Sequence, residues 1–303
     1  MNSLELINKL YKPYKIEKCG KCTIIYSTSG NYVIKEKTGD IKKTYSYLKS
    51  RGFNYYPSLV DDTKEDINIF EYKENLDYPK EQRASDLIDT IINLHQSTIH
   101  YKEVRQGTFK SIYEKIESNL NYYQNYYDEF SKIFEKEVFM SPSHYLFMRN
   151  ISKLFNQINF CKSRLDIWYE NVKDLKQYKV CQVHNNLRLS HFLKGERNVL
   201  ISWDKSLIDS PVIDLYILYK NEALNLEFKN LFDKYLNSNI IDENEKELLF
   251  ILICMPVDMD FMDEEINSCI SVGNSFDYIF KTEELIKPYY SGTNNDEDDN
   301  FNN

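Results

Sequence analysis

The pattern of hydrophobic and polar residues predicts a β-rich beginning to the chain. Two runs of β-forming residues, Cys22–Thr28 and Tyr32–Glu36, flank a Ser-Gly-Asn sequence, which is typical of a β-hairpin. Two more short strands are predicted at Ser58–Val60 and Asp66–Tyr72. Between these pairs, residues 40–51 favour a helix. The first 75 residues therefore predict an antiparallel sheet with one inserted helix.

The inserted helix has recognisable end signals, and beyond the sheet the apolar spacing changes to a helical period. Asp40 is a suitable N-cap and Gly52 a suitable stop. From residue 81 onward apolar residues recur every three or four positions. The later predicted elements are helical stripes at Ala84–His95 and Ile112–Phe134, a helix at Tyr145–Glu170, strands at Lys179–Val183 and Asn198–Trp203, and helices from Pro211 to about Lys287.

The composition indicates a folded protein and argues against one class of partner. The 303 residues are 42% hydrophobic and 28% charged, and the net charge is −9, which disfavours a nucleic-acid binder that neutralises phosphates. Tyrosine (25) and phenylalanine (17) are abundant, either from the bias of an AT-rich genome or because they form a binding surface. The Ile112–Phe134 stripe is correspondingly either a core face or a protein-binding face.

The six cysteines predict no disulfide framework. Cys19 and Cys22 have the spacing of half a zinc site, but no second Cys or His pair complements them. The main interpretation is that they flank a β-turn containing Gly20, with zinc as the alternative.

The two ends and the longest apolar run predict a soluble, cytoplasmic protein without a membrane segment. Residues 1–18 lack the apolar core of a signal peptide. The longest apolar run, Leu248–Val257, is too short to cross a bilayer and predicts a buried helix ending by Pro256. Residues 291–303 are acidic and predict a disordered tail.

Three short segments in the second half of the chain carry a motif. They are Val183–Leu193 (Val-His-Asn-Asn-Leu-Arg-Leu-Ser-His-Phe-Leu), Leu200–Asp204 (Leu-Ile-Ser-Trp-Asp) and Pro211–Leu215 (Pro-Val-Ile-Asp-Leu). They resemble the catalytic core of the aminoglycoside phosphotransferase and choline kinase-like family, nearest its spore coat protein S branch. That family has His-Gly-Asp-x4-Asn, then Ile-Asp-Trp or Ile-Asp-Phe, then Asp-Pro-x-x-Asp-Leu at matching intervals.

The resemblance implies an α+β, two-lobed protein-kinase-like fold. Residues 1–72 would form a small N-terminal lobe, an antiparallel β-sheet with one helix. Residues 73–290 would form a larger, mainly helical C-terminal lobe that carries a degenerate catalytic loop at 183–204. The tail at 291–303 completes the predicted division.

The resemblance also assigns catalytic and metal positions, and this chain departs from the family at three of them. Asn186 takes the place of the proton-accepting Asp, and an amide cannot act as that base. His191 and Ser202 take the places of the magnesium-binding Asn and Asp. His184 is implied to brace the loop through a backbone hydrogen bond. Asp204 is a possible substitute metal ligand, about 6 to 7 Å from Ser202 if both lie in a strand.

The third motif is altered as well. Ser210 stands where the family has its first Asp, with Asp209 beside it, and Asp214 is retained.

In the small lobe the resemblance assigns Lys35 to the nucleotide phosphates. Glu71 and Tyr72 would lie at the connection between the lobes, where backbone groups meet adenine. The inserted helix should supply a Glu to pair with the lysine, and Asp40 is the only acidic candidate there. The segment before the lysine has one glycine, Gly20, too few to cradle phosphates closely.

Three hypotheses about function follow. The first is an inactive kinase-like protein, a pseudokinase, that binds a nucleotide or small molecule, or a protein partner through its helical lobe. The second is an active small-molecule phosphotransferase that transfers phosphate from ATP to a hydroxyl group. It would use magnesium or manganese in a metal site rebuilt from Asp204, His191 and Asp209. The third is another fold that carries these spacings by chance.

Overall fold

The computed structural model describes residues 12–61 and 66–290, so the predicted tail at 291–303 lies outside the described residues. Contacts group the chain into two compact units: unit 1 contains Met1–Ile99 and Cys181–Asp209, and unit 2 contains His100–Val180 and Ser210–Asn303. The helix that follows residue 72 and the segment predicted as the catalytic loop (183–204) thus belong to the same unit as the sheet. The sequence-based division at residue 72 stays a prediction.

The helices and the longer strands follow the predicted order, but four short strands, at 15–19, 100–103, 192–193 and 207–209, were not predicted. The strands are β1 Lys15–Cys19, β2 Cys22–Ser27, β3 Gly30–Glu36, β4 Leu59–Asp61, β5 Ile67–Glu71, β6 His100–Glu103, β7 Gln177–Val183, β8 Phe192–Leu193, β9 Val199–Leu200 and β10 Leu207–Asp209. The α-helices are α1 Ile41–Ser50, α2 Lys80–Thr98, α3 Thr108–Phe134, α4 Pro142–Val172, α5 Val212–Glu222, α6 Lys229–Leu236, α7 Glu243–Ile253 and α8 Glu265–Tyr290. Single 3-10 turns lie at Leu189–His191 and Trp203–Lys205.

Unit 1 contains a five-stranded sheet in the order β1-β2-β3-β5-β4, with every neighbouring pair antiparallel. The predicted antiparallel sheet with one inserted helix is confirmed. Strand β1 was not predicted, because its sequence, Lys-Ile-Glu-Lys-Cys, has a single aliphatic residue and lies mostly exposed at the sheet edge. Cys19 and Cys22 flank the β1–β2 turn as expected, with Gly20 in the left-handed region at φ 56°.

The two faces of this sheet have different roles, since side chains alternate along each strand. One face carries a buried aliphatic cluster of Ile25, Ile34, Ile67 and Ile69. The pairing of β3 with β5 puts Lys35 opposite Asn68, on the other face.

Helix α1 begins and ends as the sequence predicted. The Asp40 carboxylate accepts a hydrogen bond from the Lys43 amide at 3.1 Å, which satisfies a free N–H of the first turn. Gly52, at φ 80°, follows the helix and donates to the Lys49 carbonyl at 3.1 Å. Tyr45 is buried and stacks on Tyr56 with ring centroids 4.2 Å apart.

The rest of unit 1 is built around two short strand pairs. Residues Cys181–Val183 of β7 pair with β10, and β8 pairs with β9. The predicted strand at Asn198–Trp203 is therefore only partly correct, because β9 ends at Leu200.

Unit 2 is mainly helical, as predicted for the later part of the chain, with α4 packed against α3, α7 and α8. Tyr127 of the α3 stripe is fully buried, and its hydroxyl donates to the Val257 carbonyl at 2.5 Å. The apolar run at Leu248–Val257 forms the end of α7, which stops at Ile253 as expected. No helix within residues 12–61 and 66–290 is long and apolar enough to cross a membrane.

Candidate functional site

Lys35 on β3 forms an ion pair with the Asp204 carboxylate, and both side chains are partly buried. Asp40, the acidic candidate near the inserted helix, instead caps the N-terminus of α1. Helix α1 itself contains no acidic residue. Lys35 is therefore neutralised from the segment after β9 and not from the inserted helix.

A sharp change of backbone direction after β9 places Asp204. Ser202 lies in the left-handed region at φ 66° and ψ 50°, and Trp203 begins a 3-10 turn. The predicted geometry, in which Ser202 and Asp204 share one side of a strand, is wrong because the strand has already ended. The Trp203 indole is buried and donates to the Leu200 carbonyl at 2.7 Å, which anchors the turn.

His184 braces this turn from the end of β7. The side chain is fully buried, and Nε2 lies 2.8 Å from the Ile201 carbonyl. Its ring meets the Trp203 indole edge to face, with centroids 4.8 Å apart. A backbone-bracing contact of the expected kind is thus present.

The neighbouring loop fixes the orientation of the His191 ring. Its Nδ1 donates to the Asn186 carbonyl at 2.7 Å, so Nε2 remains as an acceptor. Burial lowers the pKa of His191, and the positive charges of Arg188 and Lys35 act in the same direction. The Asn186 contact and the Asp204 charge oppose that shift.

Two residues missed by the sequence analysis position this loop from α2. Arg83 Nη2 donates to the carbonyls of Phe192 at 2.7 Å and Leu189 at 3.3 Å, on either side of His191. Lys194 forms a partly buried ion pair with Asp86 of the same helix. Each contact joins residues about one hundred positions apart, so no local pattern signals it.

The donors in this loop do not suit magnesium, which prefers several oxygen ligands. Asp204 is already paired with Lys35, His191 supplies a nitrogen, and Ser202 offers a neutral hydroxyl. Across the part of the chain that the structure describes, no three His, Cys, Asp or Glu side chains form a group able to hold a metal ion. The residues present therefore do not fit the metal that the motif implies.

Comparison with solved structures identifies the fold. The chain is similar to an aminoglycoside phosphotransferase from Alicyclobacillus acidocaldarius, with a TM-score of 0.69 and 10% identity over 91% of each chain. It is also similar to spectinomycin phosphotransferase APH(9)-Ia bound to ADP and spectinomycin, with a TM-score of 0.54, 13% identity and coverage of 93% and 97%.

The chain has the protein-kinase-like fold. An AMP-bound structure of the same spectinomycin phosphotransferase matches with a TM-score of 0.53, 13% identity and coverage of 95% and 93%. No protein-family model matches the sequence, and no curated protein matches it. Identities of this size establish a shared fold and leave function to be argued from the site.

The kinase-like fold gives the remaining predicted site residues their context. Glu71 ends β5, where its carboxylate pairs with Lys73 at 2.7 Å. This lysine holds the pKa of Glu71 below its usual value. The Tyr72 amide donates to the Asn31 carbonyl at 3.0 Å. An adenine contact at this connection, which stays a prediction, would have to use other backbone groups.

The third motif is divided between the two units. Asp209 ends β10 opposite Cys181 in unit 1. In unit 2, the Ser210 carbonyl accepts from the Ile213 amide at 3.1 Å, and Asp214 is fully buried in α5. Within unit 1, the structure brings Lys35 of β3 to Asp204, in the loop region that also contains His184, Asn186, His191 and Ser202.

Proposed function

We propose that this protein is a pseudokinase, a phosphotransferase-fold protein that binds a nucleotide without transferring its phosphate and acts as a binding or scaffold protein. The observation that carries the proposal is the Lys35–Asp204 ion pair, in a loop where Asn186 and Ser202 replace carboxylates. Lys35 is retained for phosphate binding, while the groups that drive the chemistry are altered.

Nucleotide binding is supported by the sheet face that carries Lys35. Strand pairing places the half-buried side chains of Ile24 and Val33 on that face, beside the lysine. A flat apolar base packs well on such side chains, and an ammonium group binds phosphate oxygens. Two of the similar structures were solved with AMP or ADP bound.

Loss of turnover is supported by the chemistry of the replaced groups. Phosphoryl transfer depends on positioning and on stabilising transition-state charge, to which a base and metal-bound carboxylates contribute. The Asn186 amide cannot accept a proton from an attacking hydroxyl. His191 and Ser202 supply at most an imidazole nitrogen and a neutral hydroxyl where the family has oxygen ligands for magnesium.

The second candidate, an active phosphotransferase with a rebuilt metal site, is favoured by one observation. Asp204 brings a carboxylate to Lys35, and its charge acts on His191. The test must therefore separate binding from turnover.

We also propose that the protein is located in the cytoplasm, where ATP is available. Within the phosphotransferase family, we propose that it lies nearest the spore coat protein S branch.

The first experiment is a thermal-shift titration with ATP and ADP, each with magnesium, manganese or EDTA. A ligand at one hundred times its Kd stabilises the folded state by ~2.7 kcal/mol, a readily measured shift. We expect a shift in the wild type that Lys35→Ala removes. Lys15→Ala, which deletes an exposed lysine from edge strand β1, is the matched control and should keep the shift.

The second experiment measures ATP turnover with magnesium and with manganese. The proposal expects no turnover above background with either metal. Turnover that requires manganese and disappears in Asp204→Asn would establish the second candidate. If no nucleotide shifts the melting temperature under any condition, nucleotide binding is absent and both candidates fail.

A further inference from the structure

Large apolar side chains are exposed at one end of the unit 2 helices. Val138 and Phe139, in the connection between α3 and α4, are 87% and 93% exposed. Met262 and Ile266, around the start of α8, are 84% and 74% exposed. Folded proteins rarely leave such residues grouped in water unless they bind a partner.

These side chains belong to one region of the surface. The Ser143 amide at the start of α4 donates to the Glu265 carboxylate at the start of α8, at 2.7 Å. The Phe261 ring packs against Phe130 and Phe134 near the end of α3, with centroids 4.8 and 5.2 Å apart. We define the apolar patch as Val138, Phe139, Tyr145, Met262, Ile266 and Ile270.

The patch has the spacing of a surface that receives a helix. Ile266 and Ile270 lie one turn apart on α8 and therefore face the same way. Met262 precedes them by the same interval in sequence. Phe139 and Tyr145 flank the beginning of α4 on the other side of the Ser143–Glu265 contact. An apolar surface contributed by two neighbouring helices and the segments that precede them accepts the apolar face of an amphipathic helix.

The rim of the patch is strongly acidic. The acidic side chains around it are Glu135, Glu137, Asp258, Asp260, Asp263, Glu264 and Glu265. The basic side chains near it are fewer: Lys132, Lys136 and Arg149. Lys132 is already paired with Asp128, and among the acidic residues Glu137 contacts His144 and Glu265 accepts from the Ser143 amide. The patch therefore presents apolar groups within a negative field.

We propose that the apolar patch is a docking site for a basic amphipathic helix of a protein partner. Charge complementarity selects this occupant. A second copy of the chain would bring two acidic rims together, and an anionic membrane surface would be repelled in the same way. A helix with lysine or arginine beside its apolar face can pack that face on the patch while its positive charges attract the acidic rim.

This inference deepens the binding role proposed above and rests on it, since a chain without turnover acts through what it binds. The patch lies within unit 2, whereas the nucleotide-site residues lie within unit 1. The two can therefore be tested separately. Nucleotide thermal shifts measured on the same variants show which proposal fails.

The experiment uses a fluorescent peptide of about 18 residues, five helical turns, with leucine on one face and lysine elsewhere. A second peptide carries glutamate in place of lysine. Binding of each to the full chain is followed by fluorescence anisotropy. The variants are Phe139→Ser/Met262→Ser in the patch, Asp263→Asn/Glu264→Gln in the rim, and the control Phe280→Ser, which removes an apolar side chain exposed by 48% elsewhere on α8.

We expect the lysine peptide to bind, and to bind at least about tenfold more weakly to the patch variant. The rim variant should weaken binding and reduce its salt dependence, while Phe280→Ser binds as the wild type does. Equal affinity for the glutamate peptide, equal binding to the patch variant, or no binding of the lysine peptide overturns the proposal. So does a dimer in sedimentation, or binding to phosphatidylserine vesicles, that Phe139→Ser/Met262→Ser abolishes.

Discussion

Lys35 and Asp204 form an ion pair although 169 positions separate them in the chain. The Asp204 carboxylate therefore already binds the Lys35 ammonium group, to which the proposed function assigns the nucleotide phosphates. A phosphate that binds Lys35 must either displace the Asp204 carboxylate or bind beside it, with a cation between the two negative groups. This competition makes the role of Asp204 measurable.

Asp204→Asn should strengthen the binding of metal-free ADP. Removing the competing carboxylate frees Lys35, and a partly exposed ion pair is worth up to about 1 kcal/mol, equivalent to roughly a fivefold change in Kd. Isothermal titration calorimetry in EDTA measures this change. Weaker binding of metal-free ADP by Asp204→Asn would contradict this competition. In a parallel titration with magnesium or manganese, binding that requires the metal and is lost in the variant would identify Asp204 as a metal ligand.

Arg164→Ala should destabilise unit 2 more than the loss of any surface ion pair. The Arg164 guanidinium donates to both oxygens of Glu247, at 2.6 and 2.8 Å, and lies 4.6 Å from the Tyr290 ring centroid. The variant leaves a mostly buried carboxylate without its cationic partner, with the Tyr290 hydroxyl still donating to it at 3.1 Å, at a cost of about 2 to 3 kcal/mol. Urea denaturation measures the loss, and Lys132→Ala, at an exposed pair, should leave the urea midpoint nearly unchanged.

Acidification should destabilise the protein in part through His191. Because burial lowers the pKa of His191 in the folded state, the unfolded chain binds a proton more readily. The unfolded chain begins to bind this extra proton as pH falls through the ordinary histidine pKa of 6.5, so the free energy of unfolding decreases below that pH. His191→Asn should lose less stability than the wild type between pH 7.5 and about 5.5.

Urea midpoints at the two pH values provide this comparison. The exposed His100 supplies the matched control, and His100→Asn should retain the wild-type pH dependence. Identical slopes for the wild type and His191→Asn would show that the imidazole gains its proton as easily in the folded state as in the unfolded chain.

Arg83→Leu should loosen the loop around His191 without unfolding the protein. The variant removes the donor to the Leu189 and Phe192 carbonyls, while the apolar stem of the side chain is kept. The Ile201 amide, which donates to the His191 carbonyl at 2.9 Å, should then exchange its hydrogen at least about tenfold faster. Arg51→Leu, which changes an exposed arginine beside Tyr47, should leave that exchange rate unaltered.

The sequence predicted much of the sheet, because its central strands are rich in β-forming residues with apolar side chains to bury. Ile34 alternates with half-buried neighbours on β3, whereas Ile69 on β5 lies within a continuous buried run from Ile67 to Phe70. Strand β1 escaped prediction because an exposed edge strand needs no buried face. The start of α1 was predicted because Asp40 caps it through a contact three residues away.

The site was only partly predictable, because its geometry depends on backbone conformation and distant contacts. The motif intervals placed His184, Asn186 and His191 in one loop, and the structure keeps them together. The left-handed conformation of Ser202 has no clear signature in a serine, so Asp204 was expected on a strand. The pairing of Asp204 with Lys35 depends on how the chain folds back on itself, which no local spacing encodes.

The left-handed backbone at Ser202 bears on how this loop can change over evolutionary time. Aspartate and asparagine adopt that conformation more readily than serine does. The backbone conformation at Ser202 therefore suits the Asp of the family motif better than it suits the serine of this chain. Substitution of Ser202 by Asp would place a carboxylate there without a new backbone path, so the fold accommodates either side chain at this position.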